Sequence, residues 1–249
     1  MMMEILNSIF RWLHVVAGIV WIGHLYFFNF VNGPFQGTID GETKKKVNPE
    51  LLPRALFWFR WGAAFTWVTG VLLLLLVFYH GQIALESTSS WGPLQILMIV
   101  LVFVSPFIYD ALCKTVFKDI KIAFWGGWIL ATIFAFAMAF VGFSYRGYTI
   151  HLGGAFGTIM AYNVWFRIWP AQQQIITAVK NGTPPDAALV AMAGTRSRHN
   201  TYMSVPLVYF MLNQHNVWDA NPVHVSIAIL IGWAVVYHLY DRAAQVKGF

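Results

Sequence analysis

The chain holds a single cysteine, only ten acidic residues, and no cluster of basic residues ahead of its first apolar stretch. Cys113 alone excludes an internal disulfide and a cysteine-rich metal site, and the absence of a CxxCH motif excludes covalent c-type haem attachment. Charged residues make up 10% of the 249 positions, against about a quarter in soluble domains, which excludes an ordinary cytosolic globule. Glu4 stands where a secretory signal carries basic residues, and no small-x-small cleavage site follows, so the N-terminal stretch reads as a retained first helix. No internal repeat or low-complexity segment divides the chain, which reads as one integral-membrane domain over 1–249.

What remains is apolar. Hydrophobic residues account for 58% of the chain and the mean hydropathy is +0.60. A bilayer-spanning helix needs about 20 apolar residues, so seven spans would take roughly 140. Aromatic residues, including 12 Trp, suit belts at two interfaces or the walls of a cofactor pocket. Apolar runs predict an all-α, polytopic membrane helix bundle with about seven transmembrane helices near 8–31, 55–79, 93–112, 123–144, 150–169, 200–215 and 223–241. A polar stretch over 32–54, with Gly, Pro and a Lys triplet, predicts a water-exposed loop. The 170–199 connection predicts two short amphipathic helices, one ending at Asn181-Gly182 and one capped by Thr183 and running to Met192.

On this seven-span layout, 13 of the 16 Lys and Arg residues fall on one face. Arg11 and Arg146 fall on the other, and Arg60 lies inside the second span. The positive-inside rule places the N-terminus outside and the C-terminus in the cytoplasm. The basic balance then reports topology, and nucleic acid is not required as a partner; the bilayer is.

Ionisable residues within a membrane are costly and mark function by default. No acid lies well inside a predicted span: Asp110 and Asp241 fall near cytoplasmic helix ends, and Glu4, Glu86 and Asp219 lie outside. Histidine does enter the spans. His14, His80, His151, His215 and His224 fall toward the outer face, and His24, His199 and His238 toward the inner. His224 and His238 are 14 residues apart, roughly 21 Å of rise with a net turn of about 40°; His14 and His24 are separated by about 15 Å and about 80°. The first and seventh helices facing each other would ligate haem b iron in two layers through His14, His24, His224 and His238, with Gly18 making room and Arg11, Arg146 or Arg60 meeting propionates. Plainer uses compete. His80, His215 and His224 suit interfacial positions and His199 a solvated or capping one. His151 opens a helix whose Gly153, Gly157 and Ala161 form a packing stripe, and Arg60 is placed to snorkel.

Four stretches resemble one family: FRWLHVVAGIVWIGHLYFFNFVNGP at 10–34, LLPRALFWFRWGAAFTWVTG at 51–70, GTIMAYNVWFRIWPAQQQII at 157–176 and SRHNTYMSVPLVYFM at 197–211. The resemblance is to the membrane-embedded N-terminal domain of bacterial PuuD-type urate hydroxylases, the urate oxidase N-terminal family. It implies a multi-helix domain in the bacterial inner membrane, linked to oxidation of urate with electrons passing to a cytochrome c. A cytochrome c domain follows in full-length members. This chain ends at Phe249 without one, so the expected partner is a cytochrome c or a respiratory-complex subunit on a separate chain. Arg60, His151, Asn163 and Asn200, within or beside matched stretches, are the candidate contacts for urate or a related purine. Two other readings stand beside this one: a b-type haem electron-transfer or accessory subunit without urate activity, and a non-redox structural or transport protein.

Overall fold

The computed structural model describes residues 1–215 and 221–248, the side chain of His215 excepted. The expectations for that side chain and for Asp219 therefore lie outside the described residues. The helices are α1 (Met2–Tyr26), α2 (Gly33–Thr38), α3 (Gly41–Leu73), α4 (Pro93–Thr115), α5 (Ile120–Phe140), α6 (Tyr145–Asn163), α7 (Trp169–Lys180), α8 (Ala187–Leu212) and α9 (Val223–Gln245). Wider π-helical turns at Phe27–Asn32 and Val164–Ile168 join α1 to α2 and α6 to α7, and a third, Leu74–His80, extends α3. Among the described residues the result is seven helical rods, and the only β pairing is an isolated bridge between Leu85 and Phe143.

Among the described residues five rods are long and apolar enough to cross a membrane: Met2–Thr38, Gly41–His80, Pro93–Thr115, Ile120–Phe140 and Val223–Gln245. Most of α1 is bare, with Trp12, Val15 and Ile19 all exposed, as suits a face turned to lipid. The rods 145–180 and 187–215 are more polar because they form the centre, where protein rather than lipid surrounds them. Contacts between Gly153 and Phe210, Thr149 and Gln214, and Asn163 and Asn200 set α6 and α8 antiparallel along their lengths. Tyr148, Leu152, Phe156, Met160 and Phe210 bury themselves in that seam. On the flanks, Trp21 against Gly62 and His14 against Gly70 set α1 antiparallel to α3. Pairings of Trp128 with Ser226 and Phe124 with Trp233 do the same for α5 and α9.

Two expected boundaries are corrected. The 32–54 stretch is not a loop: helix is interrupted only at Ile39 and Asp40. Pro34 sits in the first turn of α2, where a missing N–H costs nothing, and the Asp40 carboxylate accepts from the amides of Glu42 and Thr43 at 2.8 and 3.0 Å to start α3. Reciprocal amide bonds between Gln36 and Asn48, 2.8 and 2.9 Å, hold the two helices together. In the 170–199 connection, α7 does end at Asn181-Gly182, with Gly182 at φ +72°, but Thr183 closes that end through the Ala178 carbonyl rather than starting a new helix. Asp186 caps α8, which runs unbroken to Leu212, so the expected short helix and the sixth span are one element.

Candidate functional site

The carboxy-terminal ends of α1 and α9 lie at the same end of the bundle as Asp110, where Tyr240 donates to Asn29 at 2.7 Å. We refer to this as the basic end. A cavity of about 740 Å³ opens there between the π turn Phe27–Asn32, α3, α8 and α9. Asn29, Asn32, Gln172, Arg198, His199 and Tyr240 supply its polar wall, and Phe28 and Phe59, edge to face at 5.4 Å, part of its apolar wall. The Asn29 amide donates to the Ser197 hydroxyl at 2.8 Å, and the Arg198 guanidinium lies 5.3 Å from the centre of the Tyr240 ring. The combination of aromatic faces, amides and one cation suits a flat, polar, anionic ring. His199 is neither solvated nor capping: it sits within α8, and its Nδ1 is 2.7 Å from the Tyr109 hydroxyl.

Beside the cavity is a charge cluster that the sequence reading missed. Asp110 is 5% exposed and joins three cations: Arg167 from the turn after α6, Arg196 of α8 at 2.7 Å, and Lys114 one turn on at 2.8 Å. The linear sequence shows Asp110 only near a helix end. That Arg167 and Arg196 converge on it depends on α4 and α6 running parallel in direct contact while α8 runs antiparallel to α6, which no local pattern records.

A second cavity, about 450 Å³, opens at the opposite, amino-terminal end between α1, α3, α4, α6 and α8. Its walls are chiefly apolar, and Arg11, His14, Arg146 and Gln214 line it as well. Of the histidines proposed as ligands, His14 alone lines this cavity. Its Nδ1 is 3.1 Å from the Thr69 hydroxyl. His24 turns its Nδ1 onto the Val20 carbonyl of its own helix at 2.7 Å. His224 is buried, bonded through Nδ1 to the Asn221 carbonyl and stacked near Tyr145 and Tyr148 of α6. His238 is on the exposed face of α9. The structure thus does not bring these four together in two facing layers: His14 is held by α3, His224 by α6, and α9 meets the first rod at the Phe27–Asn32 turn. Among the described residues no three of His, Cys, Asp and Glu gather as a metal-binding group. Gly18 faces Thr66 rather than open space; the glycine against His14 is Gly70.

Of the four candidate substrate contacts, the structure brings Asn163 and Asn200 together and leaves Arg60 and His151 apart from them. The buried amides of Asn163 and Asn200 bond each other at 2.8 Å, and Asn200 also donates to the Met160 carbonyl at 3.0 Å. His151 spends both ring nitrogens, one on the Gly147 carbonyl and one on the Tyr79 hydroxyl, at 2.6 and 2.8 Å. Arg60 stacks over the Trp169 ring with its guanidinium carbon 4.0 Å from the centroid. None of these four lines either cavity.

A family model described as Urate oxidase N-terminal matches residues 35–247. Three of the four stretches quoted above fall inside that match, and the first, 10–34, precedes it. No curated protein and no solved structure matches the chain.

Proposed function

From the premise that this multi-pass membrane protein belongs to the urate oxidase N-terminal family, we propose that it oxidises urate or a related purine in the bacterial inner membrane and passes the electrons to a cytochrome c on a separate chain. The family match over 35–247 carries the reading. The cavity at the basic end supports it, because a urate anion is flat, aromatic and rich in carbonyl and N–H groups. Its faces would lie against the Phe28 and Phe59 pair and the Tyr240 ring. The Asn29, Asn32 and Gln172 amides would meet its edge, and Arg198 its charge. Hydroxylation balances when one water oxygen forms a new C–O bond to the purine. Two protons leave to solvent, and two electrons reduce two ferricytochrome c molecules. Arg60, Asn163 and Asn200 then act behind the cavity wall, whereas His151 lies toward the opposite end of α6, on Tyr79; Asn200 belongs to the same helix as Ser197, Arg198 and His199, and its bond to Asn163 ties that helix to α6.

Purified protein mixed with urate and oxidised cytochrome c should reduce the cytochrome in proportion to urate, read at its visible band. Arg198→Ala should weaken urate binding roughly tenfold or more, the usual cost of a lost hydrogen bond to a charged group. Folded protein that neither binds urate nor reduces cytochrome c would overturn the proposal.

A further inference from the structure

The cavity at the amino-terminal end has a different chemistry from the one at the basic end. The Thr69 hydroxyl donates to the Phe65 carbonyl at 2.6 Å, so its oxygen can only accept from His14. That fixes the His14 proton on Nδ1 and leaves Nε2 as the lone-pair nitrogen. A histidine with one nitrogen anchored to an acceptor and the other basic is the arrangement of a metal-ligating imidazole. His151, by contrast, has both nitrogens engaged.

Gly70 makes room for the His14 ring itself and so sets where the ring sits at the cavity wall. A Cβ at Gly70 would lie 3.0 Å from the His14 ring carbon Cε1, tight enough to displace the ring. Apolar side chains such as Val71, Leu74, Phe103 and Leu207 make the walls. Two cations accompany the histidine. Arg11 is anchored through Nε to Asn7 at 2.7 Å and Arg146 through Nε to the Gln214 carbonyl at 2.9 Å, and the terminal nitrogens of each have no hydrogen-bond partner among the described residues. One lone-pair nitrogen, an apolar slot of about 450 Å³ and two exposed guanidinium groups match a flat apolar macrocycle with a metal centre and two carboxylates.

We infer that this cavity binds one haem b, with His14 Nε2 on the iron, Arg11 and Arg146 on the propionates, and Thr69 and Gly70 as positioning residues. The inference concerns binding only and does not depend on the substrate at the basic end. It also differs from the two-layer expectation: His24, His224 and His238 take no part.

The test uses the full chain purified from cells supplied with a haem precursor. A pyridine haemochrome assay should give one haem b per chain. His14→Ala should lose most of the Soret absorbance, and external imidazole should restore it in His14→Gly, which separates ligand loss from misfolding. His24→Ala and His238→Ala should keep full haem content. Thr69→Val should retain a bound haem, with affinity lowered roughly tenfold or more and a changed iron–histidine stretch in resonance Raman spectra. A folded protein that takes up no haem, or takes up a quinol there instead, overturns the inference. So do haem retention in His14→Ala and a stoichiometry of two.

Discussion

At the scale of single residues, Asp110 has the most exacting position. It is buried, and it balances Arg196, itself 4% exposed, whose second terminal nitrogen is buried without a partner among the described residues. Arg196 also lies 4.8 Å over the Tyr109 ring, so it cannot swing to water without losing that contact. Removing one member of a buried ion pair typically costs about 3–5 kcal/mol, because the other charge is left uncompensated. Asp110→Ala should therefore sharply lower the melting temperature in detergent, and adding Arg196→Met should recover part of the loss. Glu50→Ala, which breaks a solvent-exposed pair with Arg54, should leave it unchanged. The sequence placed Asp110 at a helix end and its arginines on the same face of the bundle, but their convergence on one carboxylate joins residues 57 and 86 positions apart. The histidines show the same limit. Their depth along each helix could be read from spacing. Which of them faces a cavity and which its own backbone depended on rotation about the helix axis and on the neighbour met there.

At the scale of elements, small residues decide how closely rods approach. Gly147 opens α6 directly beneath the Ala84 carbonyl, and a Cβ there would overlap that oxygen, which belongs to backbone and cannot rotate away. The same turn places the Gly147 carbonyl on His151 and leads to the bond with Tyr79. Gly147→Ala should therefore destabilise the fold by about 1–3 kcal/mol, as overpacking usually does. Gly37→Ala, in α2 with open space around it, should be neutral or stabilising by about 0.5–1 kcal/mol through helix propensity. Paired melts of the two variants check this. The stripe Gly153, Gly157 and Ala161 was legible as a packing face, and it does face α8: Gly153 meets Phe210 and Gly157 meets Leu207. The continuity of α3 through Pro49 and Pro53 was not legible. Breaker residues argued for a loop, while the Asp40 cap and the Gln36 to Asn48 bonds hold the segment in helical hairpin form.

At the scale of the whole molecule, charge and shape divide the two ends. The basic end carries Lys44, Lys45, Lys46, Arg54, Lys114 and Lys180 on exposed or half-buried surface, and the positive-inside rule assigns it to the cytoplasm. In a Cys113→Ala background, Gly37→Cys at the basic end should react with a membrane-impermeant maleimide only after cells are broken. Ser87→Cys in the loop at the opposite end should react in intact spheroplasts. The reverse pattern would invert the orientation. If it holds, the cavity at the basic end, proposed for the purine, faces the cytoplasm and the His14 cavity faces the outside, the side on which the proposed external cytochrome c would accept electrons.

The sequence by itself determined the environment and the helical class, because both follow from composition and from apolar runs long enough to cross a bilayer. Only the tertiary structure decided which polar groups share a site. Asp110 with Arg196, Asn163 with Asn200 and His14 with Thr69 are brought together by the order and rotation of packed helices, and packing of that kind is set by surfaces remote in sequence rather than by the pattern along any one of them.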